Sequence, residues 1–253
     1  MFRKANGNIT YCAKTDRGLK RNVNQDAVAV FKKDNMGLFV VSDGMGGHSR
    51  GELASREVAM EFETFWNELL LQNVQPVFPD LVEQVYRIIL RANQSIYQQY
   101  NQGQICGATV VVLLIVEDCY AVFSVGDSRI YSYAKRKFDI LTVDDIWDNL
   151  PDTINYYTPE QIAMDGRSGQ LSQAIGTNSD INVHISTDRV VPKQVFLLCS
   201  DGLFKYCEED FIKKGMHKSK SENSMQKVAE DYLQKVYDND AGDNVSFVLV
   251  RVE

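Results

Sequence analysis

Apolar residues along the chain gather in short runs bounded by Gly, Asp or Asn. They include "DAVAVF" (26–31), "GLFVVS" (37–42), "TVVVLLIV" (109–116), "CYAVFSVG" (119–126), "RIYSYA" (129–134), "QVFLLCS" (194–200) and "NVSFVLVRV" (244–252). Most are rich in β-branched or aromatic side chains, which predicts strands. "VED" at 116–118 joins two of them too tightly for a helix and predicts an antiparallel hairpin. Elsewhere the apolar spacing changes to three and four residues. Residues 51–73 carry Ala54, Val58, Phe62, Phe65 and Leu69 in that rhythm, and 78–101 carry Leu81, Val85, Ile88, Ile89, Ala92 and Ile96. A third helix is predicted over 222–238. Strands, then helices, then strands with hairpin links predict an α+β fold of antiparallel sheets with helices packed outside. Residues 142–180 are the least regular part and are expected to form a mobile insertion near the functional site.

The 253 residues suffice for one large domain or two small ones. A formal net charge of −7 disfavours a general nucleic-acid binder, which needs a basic face. The two basic clusters, "KRKF" at 135–138 and "KKGMHKSK" at 213–220, read as solvated loop or helix faces. Five cysteines without framework spacing suggest a reducing compartment, and Cys106 and Cys199 sit in apolar runs as core residues. The N-terminus lacks a signal-peptide core, and the longest apolar run, 107–116, is too short to cross a bilayer. A soluble cytoplasmic protein is expected, with neither nucleic acid nor membrane as a partner.

Chemistry concentrates at the ends of the strands. "FVVSDGMG" gives Asp43 and Gly44, "FLLCSDGL" gives Asp201, and "DAGDNVSF" gives Asp243. "FSVGDSRI" adds Asp127, and "NVNQDAVAV" adds Asp26. One Asp-Gly between strands is ordinarily a turn. Five acids at the ends of apolar runs, with no matching Lys or Arg cluster, must be protonated or bound to cations. Oxygen-only ligands select a hard ion such as Mg²⁺, Mn²⁺ or Ca²⁺, and no EF-hand loop is present. Carboxylates shared between two ions support hydrolysis of an anionic substrate. Arg21, five residues before Asp26, is the candidate phosphate fork, although alone it reads as a surface arginine.

"RNVNQDA" (21–27), "SDGMGGHSRGELAS" (42–55), "GATVV" (107–111), "VGDSRIY" (125–131), "LTVDD" (141–145), "AIGT" (174–177), "LCSDGLF" (198–204) and "GDNVSFVLV" (242–250) follow in that order. The set resembles the PP2C (PPM) family of metal-dependent protein serine/threonine phosphatases, in its bacterial form. The resemblance implies one domain over 1–253, a four-layer α-β-β-α sandwich, with a variable flap around 142–180. It implies two divalent ions, Mn²⁺ or Mg²⁺, and a weaker third site. Asp43 would bridge both ions, and Gly44 would offer its carbonyl to the second. Asp201 and Asp243 would bind the first ion, and Asp26 would hold metal-bound waters. Asp127 and Asp201 would form the third site, and Arg21 would clamp phosphate. The implied reaction is attack by a metal-bridging hydroxide on phosphoserine or phosphothreonine of proteins, opposing a bacterial Ser/Thr kinase.

Two positions depart from the family. Met45 stands where many eukaryotic members have a histidine, so no acid is available there; His48 is assigned to the glycine loop. Asp144-Asp145-Ile146 stands where members often have Asp-His-Ser, which puts the substrate surface in doubt. Two alternatives remain open from the residues: a phosphoprotein-binding pseudophosphatase and a phosphatase of small phosphoesters.

Overall fold

The computed structural model describes residues 8–46, 50–72, 77–100 and 106–253. The chain begins with β1 (Ile9–Asp16), β2 (Asp26–Lys33) and β3 (Met36–Gly46), followed by α1 (Arg50–Leu71) and α2 (Phe78–Tyr100). Next come β4 (Cys106–Ala108), β5 (Val110–Val116), β6 (Cys119–Val125), β7 (Arg129–Ala134) and β8 (Lys137–Ile140). Two short helices, α3 (Pro151–Tyr156) and α4 (Pro159–Met164), precede β9 (His184–Arg189) and β10 (Gln194–Cys199). The chain ends with α5 (Asp201–Phe204), α6 (Glu209–Lys218), α7 (Glu222–Asp238) and β11 (Val245–Val252).

The strands form two antiparallel sheets, ordered β1-β11-β10-β7-β8 and β2-β3-β5-β6-β9, with β4 pairing onto the end of β3. Alternate residues of each central strand enter different cores. Leu38, Val40, Val112 and Leu114 pack under α1 and α2, whereas Phe39, Val41, Val111 and Leu113 pack between the sheets. On the other sheet Leu197, Phe247 and Leu249 pack under α6 and α7, and Phe196, Leu198 and Val248 face inward. Three apolar layers therefore separate four layers of secondary structure, and the α-β-β-α sandwich expected from the sequence is present. Burial on both faces is why these strands read as continuous apolar runs instead of alternating ones.

The long helices follow the expected spacing: all eleven positions picked out over 51–73 and 78–101 are buried. The hairpin at 116–118 is present, with Glu117 at φ 55 in the turn. Residues 213–220 lie mostly in α6, whose Met216 is fully buried, so this basic stretch is one face of an amphipathic helix. The 142–180 segment is built of short elements joined by turns. It holds a 3-10 turn at Trp147–Asn149, α3 and α4, with a Thr158–Gln161 capping box. The Arg167 guanidinium lies 4.1 Å from the Trp147 ring centre. Among the described residues no helix is long and apolar enough to cross a membrane.

Phe196 is fully buried between the sheets and meets Tyr120 edge-on at 4.9 Å. Phe196→Ala should lower the urea-unfolding free energy by about 3–5 kcal/mol; a loss below ~1 kcal/mol would show that the inter-sheet core is not packed as described.

Candidate active site

Antiparallel strands return to the same end of a sheet at every second turn. The start of β2, the end of β3, the start of β5 and the end of β6 therefore meet at one end of the sandwich. The end of β10 and the start of β11 lie together in the other sheet. Every acid singled out from the sequence sits at one of these ends. Asp26 and Asp43 are direct partners in the β2–β3 register. Asp43, Asp127, Asp201, Asp243, Gly44 and Arg21 line one cavity of about 560 Å³, and Asp26 stands beside Asp43 in the β2–β3 pair.

Each acid is positioned by its neighbours. The Asp43 backbone is fixed at both ends: its N–H donates to Thr109 Oγ1 (3.0 Å), and its carbonyl accepts from the Thr109 N–H (2.8 Å). Asp26 Oδ2 accepts from Ser200 Oγ at 2.9 Å, a bond that crosses from one sheet to the other. Asp201 opens α5 and pairs with Lys205 through Oδ2. Asp243 Oδ1 caps the N–H of Asn244 (2.8 Å), and Oδ2 accepts from Arg21 Nη2 (2.8 Å). Asp127 follows Gly126, which adopts φ 96 at the end of β6.

Gly44 stands where the protein's own backbone crowds in. A Cβ on Gly44 would lie 2.1 Å from the Gly51 carbonyl oxygen and 2.6 Å from that of Gln25. The close approach that Gly44 permits is by protein backbone, where the first turn of α1 seats against the β3 terminus. His48 lies outside the described residues. Met45 lines the cavity rim, and its thioether carries no acidic proton.

Electrostatics follow from this crowding. Burial raises the Asp26 pKa to about 6, opposed by the Ser246 and Ser200 hydroxyls and reinforced by Asp201. Burial and then the Asp201 charge raise Asp127 to about 6, opposed by Lys205. Asp43 is pushed well above the usual carboxylate range by burial, then by repulsion from Asp26, Asp201, Asp127 and Asp243. No cysteine is among the residues lining this cavity, and burial pushes the Cys199 thiol far up and the Cys207 thiol to about 12.

As the side chains stand, no three His, Cys, Asp or Glu among the described residues close into a metal cage. Asp201 and Asp243 have turned one oxygen each toward Lys205 and Arg21. The donor chemistry nevertheless fits hard cations. All the acids are oxygen donors, and Asp26 Oδ1 and Asp201 Oδ1 are buried without a hydrogen-bond partner. An orphaned buried carboxylate oxygen is costly unless a cation or proton takes it.

Several residues here were not singled out from the sequence. Lys205 is one, although Asp201-x-x-x-Lys205 is a readable i,i+4 pair. Asn244 ties the loop before β11 to the β1–β2 loop at three points: Oδ1 accepts from Gln25 N–H (2.9 Å), while Nδ2 donates to the carbonyls of Arg17 (2.8 Å) and Val23 (3.0 Å). Thr109 and Ser200 carry no spacing signal. Gly169, Gln170 and Leu171 bring the 142–180 segment to the cavity edge.

A family model for protein phosphatase 2C matches residues 19–239, and the chain belongs to that family. It is 26% identical over 243 residues to the serine/threonine phosphatase stp of Listeria monocytogenes, covering 94% of each chain. It is 29% identical over 192 residues to protein phosphatase PhpP of Streptococcus pneumoniae, covering 75% of this chain and 76% of that one. The crystal structure of serine/threonine phosphatase Stp1 from Staphylococcus aureus matches with a TM-score of 0.83 at 27% identity, over 100% of this chain and 98% of the other. The catalytic domain of PstP in complex with two manganese ions gives 0.77 at 23% identity, over 96% and 98%, and shares the fold.

A carboxyl whose folded pKa exceeds its unfolded value binds protons more readily in the folded chain, so its contribution to stability falls as pH rises between the two. For Asp127 that window runs from 3.8 to about 6. In EDTA the urea-unfolding free energy of Asp127→Asn should vary less steeply across this window than that of the wild type. The difference should be on the order of 2 kcal/mol. Parallel curves would show that Asp127 is not held among like charges.

Proposed function

We propose that this chain hydrolyses phosphoserine and phosphothreonine esters on proteins with two divalent ions, Mn²⁺ or Mg²⁺, as cofactors. The observation that carries this is the convergence of Asp26, Asp43, Asp127, Asp201 and Asp243 with Arg21 at one end of the sandwich. Asp43, Asp201, Asp243 and the Gly44 carbonyl would hold the ions, and Asp26 would orient coordinated water. When bound, the ions would supply an acidified water and neutralise charge on the phosphoryl group.

The protein's own groups account for the rest. Arg21 reaches the acids from the β1–β2 loop, half exposed, with Nη2 on Asp243. Its planar fork suits two phosphate oxygens at the cavity mouth. Hydrolysis forms a bond from a water oxygen to phosphorus and breaks the ester P–O bond, and the departing serine or threonine oxygen takes a proton. Met45 has none to give, and water is the proposed donor. The family likeness and open cleft support phosphoproteins as substrates, with Gly169–Leu171 and the rest of the 142–180 flap as the surface beside them. We read the whole of 1–253 as one phosphatase domain. The proposed biological setting is reversal of a Ser/Thr kinase in the cytoplasm, consistent with five free cysteines.

Phosphate release from a phosphothreonine peptide should be undetectable in EDTA and return with Mn²⁺ or Mg²⁺. Asp43→Asn should reduce kcat about 10³-fold, as expected when a hard-cation ligand is lost at a cost of several kcal/mol. Turnover in EDTA after dialysis would remove the metal assignment.

Arg21→Ala should raise KM for the phosphopeptide about tenfold with a smaller fall in kcat, because phosphate is held in ground and transition states alike. Arg21→Lys should recover little, since a point charge cannot replace a fork. An unchanged KM in the alanine variant would make Arg21 only the partner of Asp243.

A further inference from the structure

Asp201 opens α5 and Lys205 follows one helical turn later, so the two side chains share a face. The Lys205 ammonium pairs with Asp201 Oδ2. Its other charged neighbours are Asp127 and Asp243, and all four residues line the same cavity. The Asp201 side chain is only 11% exposed, and its second oxygen, Oδ1, is buried without a partner. One edge of this carboxylate is thus covered by a cation belonging to the protein, and the other edge is bare.

That division limits what Asp201 can bind. An ion on Oδ1 leaves the lysine contact intact. A second ion on the same carboxylate, shared with Asp127, would compete with the ammonium for Oδ2, because Oδ1 is then taken by the first. That competition places Lys205 beside a divalent cation of like sign, in a cavity where opposite charges otherwise neutralise one another. A lysine ammonium is also a fixed charge, present at every metal concentration.

We propose that Lys205 is a built-in cation standing in place of a third metal ion, so that the chain takes two divalent ions and the Asp127–Asp201 position is closed to another. The inference rests on the two-ion phosphatase reading above and departs from the weaker third site that the family resemblance implied. It makes Lys205 a determinant of metal stoichiometry.

The test is equilibrium Mn²⁺ binding to EDTA-treated, dialysed full-length protein, with free Mn²⁺ read by electron paramagnetic resonance. Wild type and Lys205→Arg should bind two ions. Lys205→Met, which keeps the stem and removes the charge, should gain a third ion at least about tenfold tighter than any third binding in wild type. Lys205→Met with Asp127→Asn should lose that gain. If Lys205→Met does not fold by circular dichroism, Asp127→Asn alone decides: it should leave the wild-type isotherm unchanged, and loss of an ion overturns the proposal. An unchanged count in folded Lys205→Met, or a wild type that binds three ions, also overturns it and leaves the phosphatase reading standing. A wild type that binds no Mn²⁺ overturns both.

Discussion

Repulsion among five carboxylates, four lining one cavity and Asp26 paired beside Asp43, is the constraint around which this molecule is organised. Asp43 sits within electrostatic reach of Asp26, Asp127, Asp201 and Asp243, and burial magnifies each repulsion. The acids are held near one another because each sits at or beside a strand end, and the central strands β3, β5, β6, β10 and β11 are buried almost throughout. The three apolar layers hold the strand ends together against their charges. The fold thereby places negative potential where a cation gains most from it.

Neutral hydrogen bonds do the positioning, leaving the charges for ligands. Ser200 Oγ donates to Asp26 and also accepts from the Ser246 N–H at 3.0 Å, so one hydroxyl ties the β10 and β11 ends to β2 of the opposite sheet. Thr109 holds the Asp43 backbone while its hydroxyl shares a hydrogen bond with Ser128 at 2.7 Å. Asn244 fixes the loop that carries Arg21. Among the described residues only Arg21 and Lys205 answer the acids with charge, and each takes a single oxygen of its carboxylate. Small polar groups of this kind orient carboxylates without neutralising them.

The central strands and long helices were legible because their periodicity is imposed by burial. β10 and β11 are buried along their whole length, and α2 buries one clean stripe. The elements that escaped lack that imprint. β9 is an edge strand, "HISTDR", with five of its six residues exposed, so no apolar alternation marks it. β1 alternates, but its inward residues are interrupted by polar ones. The acids were legible as a group because each follows or precedes an apolar run, and the β2–β3 register does set Asp26 against Asp43. The supporting hydroxyls and Asn244 were not, because their partners lie up to 231 residues away in sequence and only the assembled sandwich brings them into reach. The crowding at Gly44 was not legible either, because the Gly51 backbone that presses on it arrives only with α1 in place.

The unusual Asp144-Asp145 pair acquires a physical role from the same reasoning. Asp144 receives the Arg129 guanidinium side-on, with Nε and Nη2 on its two oxygens at 2.7–3.1 Å, while the guanidinium lies 3.9 Å from the Phe204 ring centre. Asp145 accepts from the Gly126 N–H (2.9 Å) and Gln173 Nε2 (2.8 Å), and its other oxygen meets His184 Nε2 at 2.8 Å. Gly126 directly precedes Asp127, and Gln173 follows Leu171 at the cavity edge. Asp145 therefore joins the strand end that presents a cavity acid to the segment that borders the cavity. These two aspartates thus act on the border of the cavity and leave the five converging acids to the chemistry.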